Sequence, residues 1–215
     1  MLKYKVIKKA ISKDLADYCY TYLLLKRNVT LAFKSKNLKD IQVYGYGGFG
    51  DTQVDNAYAV YGDIAMEVLL EKVRPIIQKV VKKKLIPTYS YCRVYEKGHE
   101  LVRHKDRESC AFSTTLFLGG KKWPIYLSPN QNVGIPEEEG GKRGITTSSY
   151  AKGIKVNLDQ GDMLVYNGTH LEHWREPLKG SHCVQVFLHY NDVKNKKNAY
   201  DGRPHLGLSK NFLDL

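Results

Sequence analysis

Helical periodicity confined to the first 84 residues, then short alternating segments divided by Gly, Pro and Asn, predict an α+β, mainly β fold. The expected architecture is an antiparallel jelly roll (a double-stranded β-helix, cupin-like) with supporting N-terminal helices. A chain of 215 residues is long enough to bury a sizeable core and is read as one domain. Its parts are a helical support with a short strand over 1–84, a jelly-roll core over 85–192 and a C-terminal tail over 193–215.

The first element is a helix over 12–27 (SKDLADYCYTYLLLKR): Ser12 is an N-cap candidate, Asp14 sits in the first turn, and Lys-Arg closes the segment. A basic stretch leads to Ile41-Gln-Val43-Tyr44, read as a short strand, and then to the glycine-rich Tyr46-Gly47-Gly48-Phe49-Gly50-Asp51. That loop lacks GxxxxGK[ST], so a lid or a turn is expected rather than a phosphate cradle. Residues 56–84 (NAYAVYGDIAMEVLLEKVRPIIQKVVKKK) read as the longest helical tract, kinked or divided at Pro75. Strands follow at 88–95, 100–104, 110–118, 123–127, 154–157, 162–166 and 183–190, with 128–152 as a long mobile insertion.

Composition narrows the class. No apolar run approaches the ~20 residues needed to span a bilayer, and the basic N-terminus has no apolar h-region, so a cytoplasmic protein is expected. Cys19, Cys92, Cys110 and Cys183 form no CxxC pair, which argues for free thiols over a structural zinc site or a disulfide framework. The net charge of +12 admits a nucleic-acid partner or an acidic substrate. The lysines are dispersed, however, and no aromatic-basic interleaving marks a base-stacking platform.

The most informative stretch is Tyr95-Glu-Lys-Gly98-His-Glu-Leu-Val-Arg-His104-Lys-Asp106. On a strand, His104 and Asp106 project from one face, which makes two-thirds of a 2-His-1-carboxylate triad for non-haem Fe(II). The remaining ligand is sought in Gly161-Asp162-Met-Leu-Val-Tyr166-Asn-Gly168-Thr-His170-Leu-Glu-His173-Trp-Arg-Glu-Pro177-Leu-Lys-Gly180. His173 is the expected ligand and His170 its competitor; Pro177 and Gly180 make a turn after His173 that returns the chain to the strand Cys183–Tyr190. Trp174 and Arg175 come directly after His173 and are read either as substrate contacts at the pocket mouth or as packing against the 128–152 insertion. His99 and His189 are read as a loop residue and a structural residue.

Tyr95-x-x-Gly98-x5-His104-x-Asp106, Gly161-Asp162 and His173-x3-Pro177-x2-Gly180 together resemble the prolyl 4-hydroxylase-like branch of the 2-oxoglutarate/Fe(II)-dependent dioxygenases over about half the chain. The wider run, from NAYAVYGD to YDGRPHLGL, looks like small proteins of this family in phage and marine bacterial genomes. The resemblance implies that His104, Asp106 and His173 ligate iron and that Tyr95 reaches 2-oxoglutarate. It also implies O₂ as co-substrate and ascorbate as a reductant.

One position departs from the pattern. The family's Arg or Lys for the distal carboxylate of 2-oxoglutarate lies nine or ten residues after the second histidine, where this chain has His182 and Cys183. Strand alternation makes Arg93 inward if Tyr95 is inward, so Arg93 is the preferred anchor, with His182 the other choice.

Three functions are weighed. The leading one is hydroxylation of a protein or peptide residue such as proline, with decarboxylation of 2-oxoglutarate to succinate and CO₂. The second is oxidative demethylation of nucleic acid, which the charge suits. The third is a non-catalytic metal-binding jelly-roll module, for which the irregular anchor position speaks.

Overall fold

A computed structural model describes residues 3–36, 45–134 and 152–209. The elements in chain order are β1 (Tyr4–Ile7), α1 (Lys13–Ser35), β2 (Tyr58–Tyr61), α2 (Ile64–Val81), β3 (Leu85–Glu96), β4 (Leu101–His104), β5 (Phe112–Gly120), β6 (Ile125–Leu127), β7 (Ile154–Val156), β8 (Met163–Tyr166), β9 (His173–Arg175) and β10 (His182–Asp192). The strands form a six-stranded sheet, β1-β8-β5-β10-β3-β2, and a four-stranded sheet, β4-β9-β6-β7, with every pairing between named strands antiparallel. This is the expected jelly roll: mostly β, two facing sheets, and helices to one side.

Alternation along the strands divides the apolar residues between two cores. Val94, Leu116, Leu118, Val165, Val186 and Leu188 face α1 and α2, where Leu23, Leu70 and Ile77 meet them. Their strand neighbours Tyr95, Phe117, Leu164 and Phe187 face into the barrel, against Leu101, Trp123, Ile125 and Leu127. Truncating a buried leucine such as Leu70 to alanine costs about 2–5 kcal/mol.

α1 starts as the sequence predicts, with the Ser12 hydroxyl accepting from the Leu15 amide at 3.2 Å. It runs past Arg27 to Ser35 because its last turns find tertiary partners: Arg27 pairs with Glu96, and the Phe33 ring meets Tyr46 edge-on. The tract 56–84 is not one helix. Tyr58–Tyr61 pairs with β3, and Gly62 (φ 67°) turns the chain before Asp63 caps α2 by accepting from Met66. Tyr58 and Val60 alternate into the core, and that burial over-rides the helical spacing they share with Ile64–Val81. α2 itself continues through Pro75 as a single helix, so of the kink or division expected there the division does not occur.

Besides β2, two strands have no counterpart in the expected set. β1 joins the larger sheet beside β8, and β9 comes after the turn that closes β8 at Tyr166. The expected strand at 41–44 and most of the expected insertion over 128–152 lie outside the described residues. After β10, the tail docks through Arg203, whose buried guanidinium bonds Glu67 of α2 at 2.8 Å and the Thr88 carbonyl at 2.9 Å.

Candidate metal centre

The register of β4 against β9 sets His104 directly opposite His173, with ring centroids 4.1 Å apart. Each imidazole donates Nδ1–H to a carbonyl two residues back: His104 to Val102 at 2.8 Å and His173 to Leu171 at 2.9 Å. That choice of tautomer leaves both Nε2 lone pairs free. They point at one oxygen: Asp106 Oδ1 lies 3.6 Å from His104 Nε2 and 3.5 Å from His173 Nε2.

Asp106 is held from two sides. Its amide donates to the Gly168 carbonyl at 2.9 Å, and its Oδ2 accepts from the Ser113 hydroxyl at 2.5 Å. His189 Nδ1 lies 3.1 Å from the same hydroxyl. Because the Ser113 proton is directed to Asp106, His189 is the donor in that contact. Gly168 allows the approach: a Cβ there would stand 2.1 Å from Asp106 Oδ2.

The electrostatics suit a cation. Burial, then the neighbouring His173, lowers the His104 pKa to about 3, so this imidazole is neutral at pH 7. Burial alone would raise the Asp106 pKa, but His173, His189 and His104 outweigh it and hold the group below the ordinary carboxylate range. Burial also lowers the His189 pKa to about 4. Metal–ligand bonds of about 2.1 Å at right angles place adjacent ligand atoms about 3 Å apart. The observed spacings exceed that by about half an ångström, so the residues present fit an ion bound on one octahedral face.

These residues line a cavity of about 430 Å³, with Tyr61, Tyr89, Tyr91 and Phe187 among its other walls. Asp51, at the end of the glycine-rich loop, and Gln53 just after it join the lining and latch this segment to β3. Asp51 accepts from Arg93 Nε at 2.6 Å and from the Tyr91 hydroxyl at 2.7 Å, while Gln53 accepts from Arg93 Nη2 at 3.0 Å. Burial would raise the Asp51 pKa, but Arg93 and these hydrogen bonds lower it overall.

The other expected site residues divide. Tyr95 is inward and fully buried, with its hydroxyl accepting from Arg93 Nη1 at 3.0 Å. Arg93 is inward as alternation requires, but its charge is already matched by Asp51. His182 lies on the other face of β10, hydrogen-bonded to the Tyr20 hydroxyl at 2.6 Å; Cys183 is the residue β10 turns inward. Trp174 also faces away from the histidines, stacked on Tyr126 with the Arg103 guanidinium 3.4 Å from its ring centroid. Arg175 does not stand at a mouth: it is buried deep in the barrel, donating to the Trp123 carbonyl at 2.5 Å and to Thr115 Oγ1 at 3.2 Å. His170, exposed and bonded to Asn167 at 2.8 Å, is outside the cluster.

Ser113, His189, Asp51 and Gln53 were not singled out as site residues by sequence reasoning. Only His189 left a readable trace, since Cys183, Gln185, Phe187 and His189 alternate along β10. The basic residues beside the ligands are partly neutralised: Arg103 pairs with Glu172 and Arg107 with Asp201.

No family model matches the chain, and no curated protein matches it. Solved structures do. A Pseudomonas putida prolyl-4-hydroxylase aligns with TM-score 0.55 at 11% identity, covering 88% of this chain and 92% of that one. HygX from Streptomyces hygroscopicus, solved with nickel and 2-oxoglutarate, aligns with TM-score 0.55 at 12% identity, covering 88% and 83%. A prolyl hydroxylase in complex with a hypoxia inducible factor peptide fragment from Trichoplax adhaerens aligns with TM-score 0.55 at 16% identity, covering 89% and 84%. The chain therefore has the jelly-roll fold of the prolyl-4-hydroxylases and other 2-oxoglutarate/Fe(II)-dependent oxygenases.

Proposed function

We propose that this protein is an Fe(II)- and 2-oxoglutarate-dependent dioxygenase that hydroxylates a protein or peptide residue such as proline. The observation that carries the reading is the convergence of His104, Asp106 and His173 at the wall of an open cavity. Bound iron supplies O₂ activation coupled to decarboxylation of 2-oxoglutarate to succinate and CO₂, with hydroxylation of a substrate C–H bond.

The chain's own residues do the positioning. His104 and His173 would hold the ion through Nε2 and Asp106 through Oδ1, which leaves the remaining coordination positions for co-substrate and O₂. Ser113 holds the other oxygen of Asp106 and so keeps the carboxylate from rotating out of the ligand set. Tyr61, Tyr89, Tyr91 and Phe187 give the cavity an aromatic lining that suits a small apolar ring, such as a pyrrolidine, and excludes water from around it. Four buried free cysteines accord with the reducing, cytoplasmic setting in which iron stays ferrous, and ascorbate would serve as the auxiliary reductant.

The test is O₂-dependent succinate release from 2-oxoglutarate with Fe(II) and ascorbate, comparing the wild type with Asp106→Ala over a set of proline-containing peptides. The wild type is expected to release succinate, more so with a peptide that is itself hydroxylated, and the variant to stay at background. Equal background release from both proteins with every peptide would leave the barrel a binding module.

A further inference from the structure

We infer that Arg175, rather than Arg93 or His182, holds the far carboxylate of a 2-oxo dicarboxylic acid whose other end reaches the metal centre. The inference rests on the oxygenase reading above and names the residue that selects the co-substrate.

Charge pairing is the first ground. Arg93 and Arg203 are buried, and each has a buried acid beside it, Asp51 and Glu67 respectively. Arg175 is 2% exposed and, among the described residues, has no carboxylate partner. A buried guanidinium without a counter-charge is unfavourable unless an anion completes it. Burial lowers its pKa, and Arg93 nearby adds repulsion, so two cations face one acid in this part of the barrel.

Donor geometry is the second. Arg175 uses Nη1 on the Trp123 carbonyl and Nη2 on Thr115, while its Nε has no partner. Arg93, by contrast, spends Nε on Asp51, Nη1 on Tyr95 and Nη2 on Gln53. His182 points out of the barrel, to Tyr20.

Position is the third. His173 and Arg175 are two apart on β9, so they share a face and lie about 6.6 Å apart along the strand. Two methylenes separate the chelating 2-oxo acid end of 2-oxoglutarate from its far carboxylate, a comparable reach. Tyr166 lines the cavity against the His173 ring, and both Tyr166 and Tyr95 lie in the field of Arg175. Arg175 is not among the residues that line the cavity; its guanidinium is folded onto Trp123 and Thr115. Ligand entry therefore requires it to give up part of that packing for the carboxylate.

The experiment is anaerobic calorimetric titration of the Fe(II)-loaded protein with 2-oxoglutarate and with 2-oxovalerate, which replaces the far carboxylate by a methyl group. The wild type is expected to prefer 2-oxoglutarate by about 100-fold, the worth of a charge-assisted pair. Arg175→Met should lose that preference while keeping its metal and its affinity for 2-oxovalerate. Arg175→Lys retains a charge without the bidentate fork and should keep about a tenth of the preference, so it carries the test where the methionine variant does not fold. Undiminished preference in either folded variant overturns the assignment. So does an equal loss of both ligands, which marks a merely structural role. A wild type that holds iron but binds neither acid overturns the oxygenase reading itself, and this inference with it.

Discussion

The candidate metal end of the barrel and its arginine end are both built from polar groups with little exposure, but they are completed differently. Around Asp106 the protein holds each group in place and leaves only the two Nε2 lone pairs open: Ser113 and Gly168 hold the acid, and backbone carbonyls orient both histidines. At the arginine end only Arg93 is closed in this way, by Asp51, Gln53 and Tyr95. Arg175 beside it has hydrogen bonds but, among the described residues, no opposite charge. The contrast teaches that burial and inward direction do not mark a ligand-binding arginine. On the inference above, what marks it is a charge that the fold leaves unmatched.

The largest effect should come from unbalancing the closed pair. Asp51→Ala strands a buried Arg93, so denaturant unfolding should show a loss of about 3–5 kcal/mol. Arg175→Met leaves no acid behind and should cost under about 2 kcal/mol in the same measurement. Similar losses for the two would erase the distinction between these arginines.

At the metal end, Gly168→Ala pushes a methyl group into the Asp106 carboxylate and should weaken metal binding by about 10–100-fold in competition with a chelating dye. Ser113→Ala frees one carboxylate oxygen without a clash and should weaken it by about 10-fold. The smallest effect is expected at His182. Removing its imidazole loses the Tyr20 hydrogen bond, about 1 kcal/mol of stability, with 2-oxoglutarate affinity unchanged. A collapse of that affinity in His182→Ala would place the anchor back on β10.

Much of the molecule was readable in advance where the signal is local. His104 and Asp106 stand two apart beside a strand, and Ser12 caps α1 directly. The tract from Asn56 misled because Tyr58–Tyr61 is short and lies directly before a strongly helical run, so a single helical period seemed to continue through both. β9 was missed because three residues show no alternation of their own. His182 was misplaced because the family spacing points to it, whereas the face of β10 is set by its pairing with β3, which puts Cys183 opposite Tyr95.

The amino-acid sequence by itself determined the jelly-roll class and the three residues that meet at the candidate metal centre, because residue type and short spacing suffice to express strand faces and ligand chemistry. Which arginine has an acid beside it was decided only by the tertiary structure. Asp51 lies 42 positions before Arg93 and reaches it only because the glycine-rich loop folds back over β3. Pairing a charge is a matter of distance in space, and a linear chain records only distance along itself.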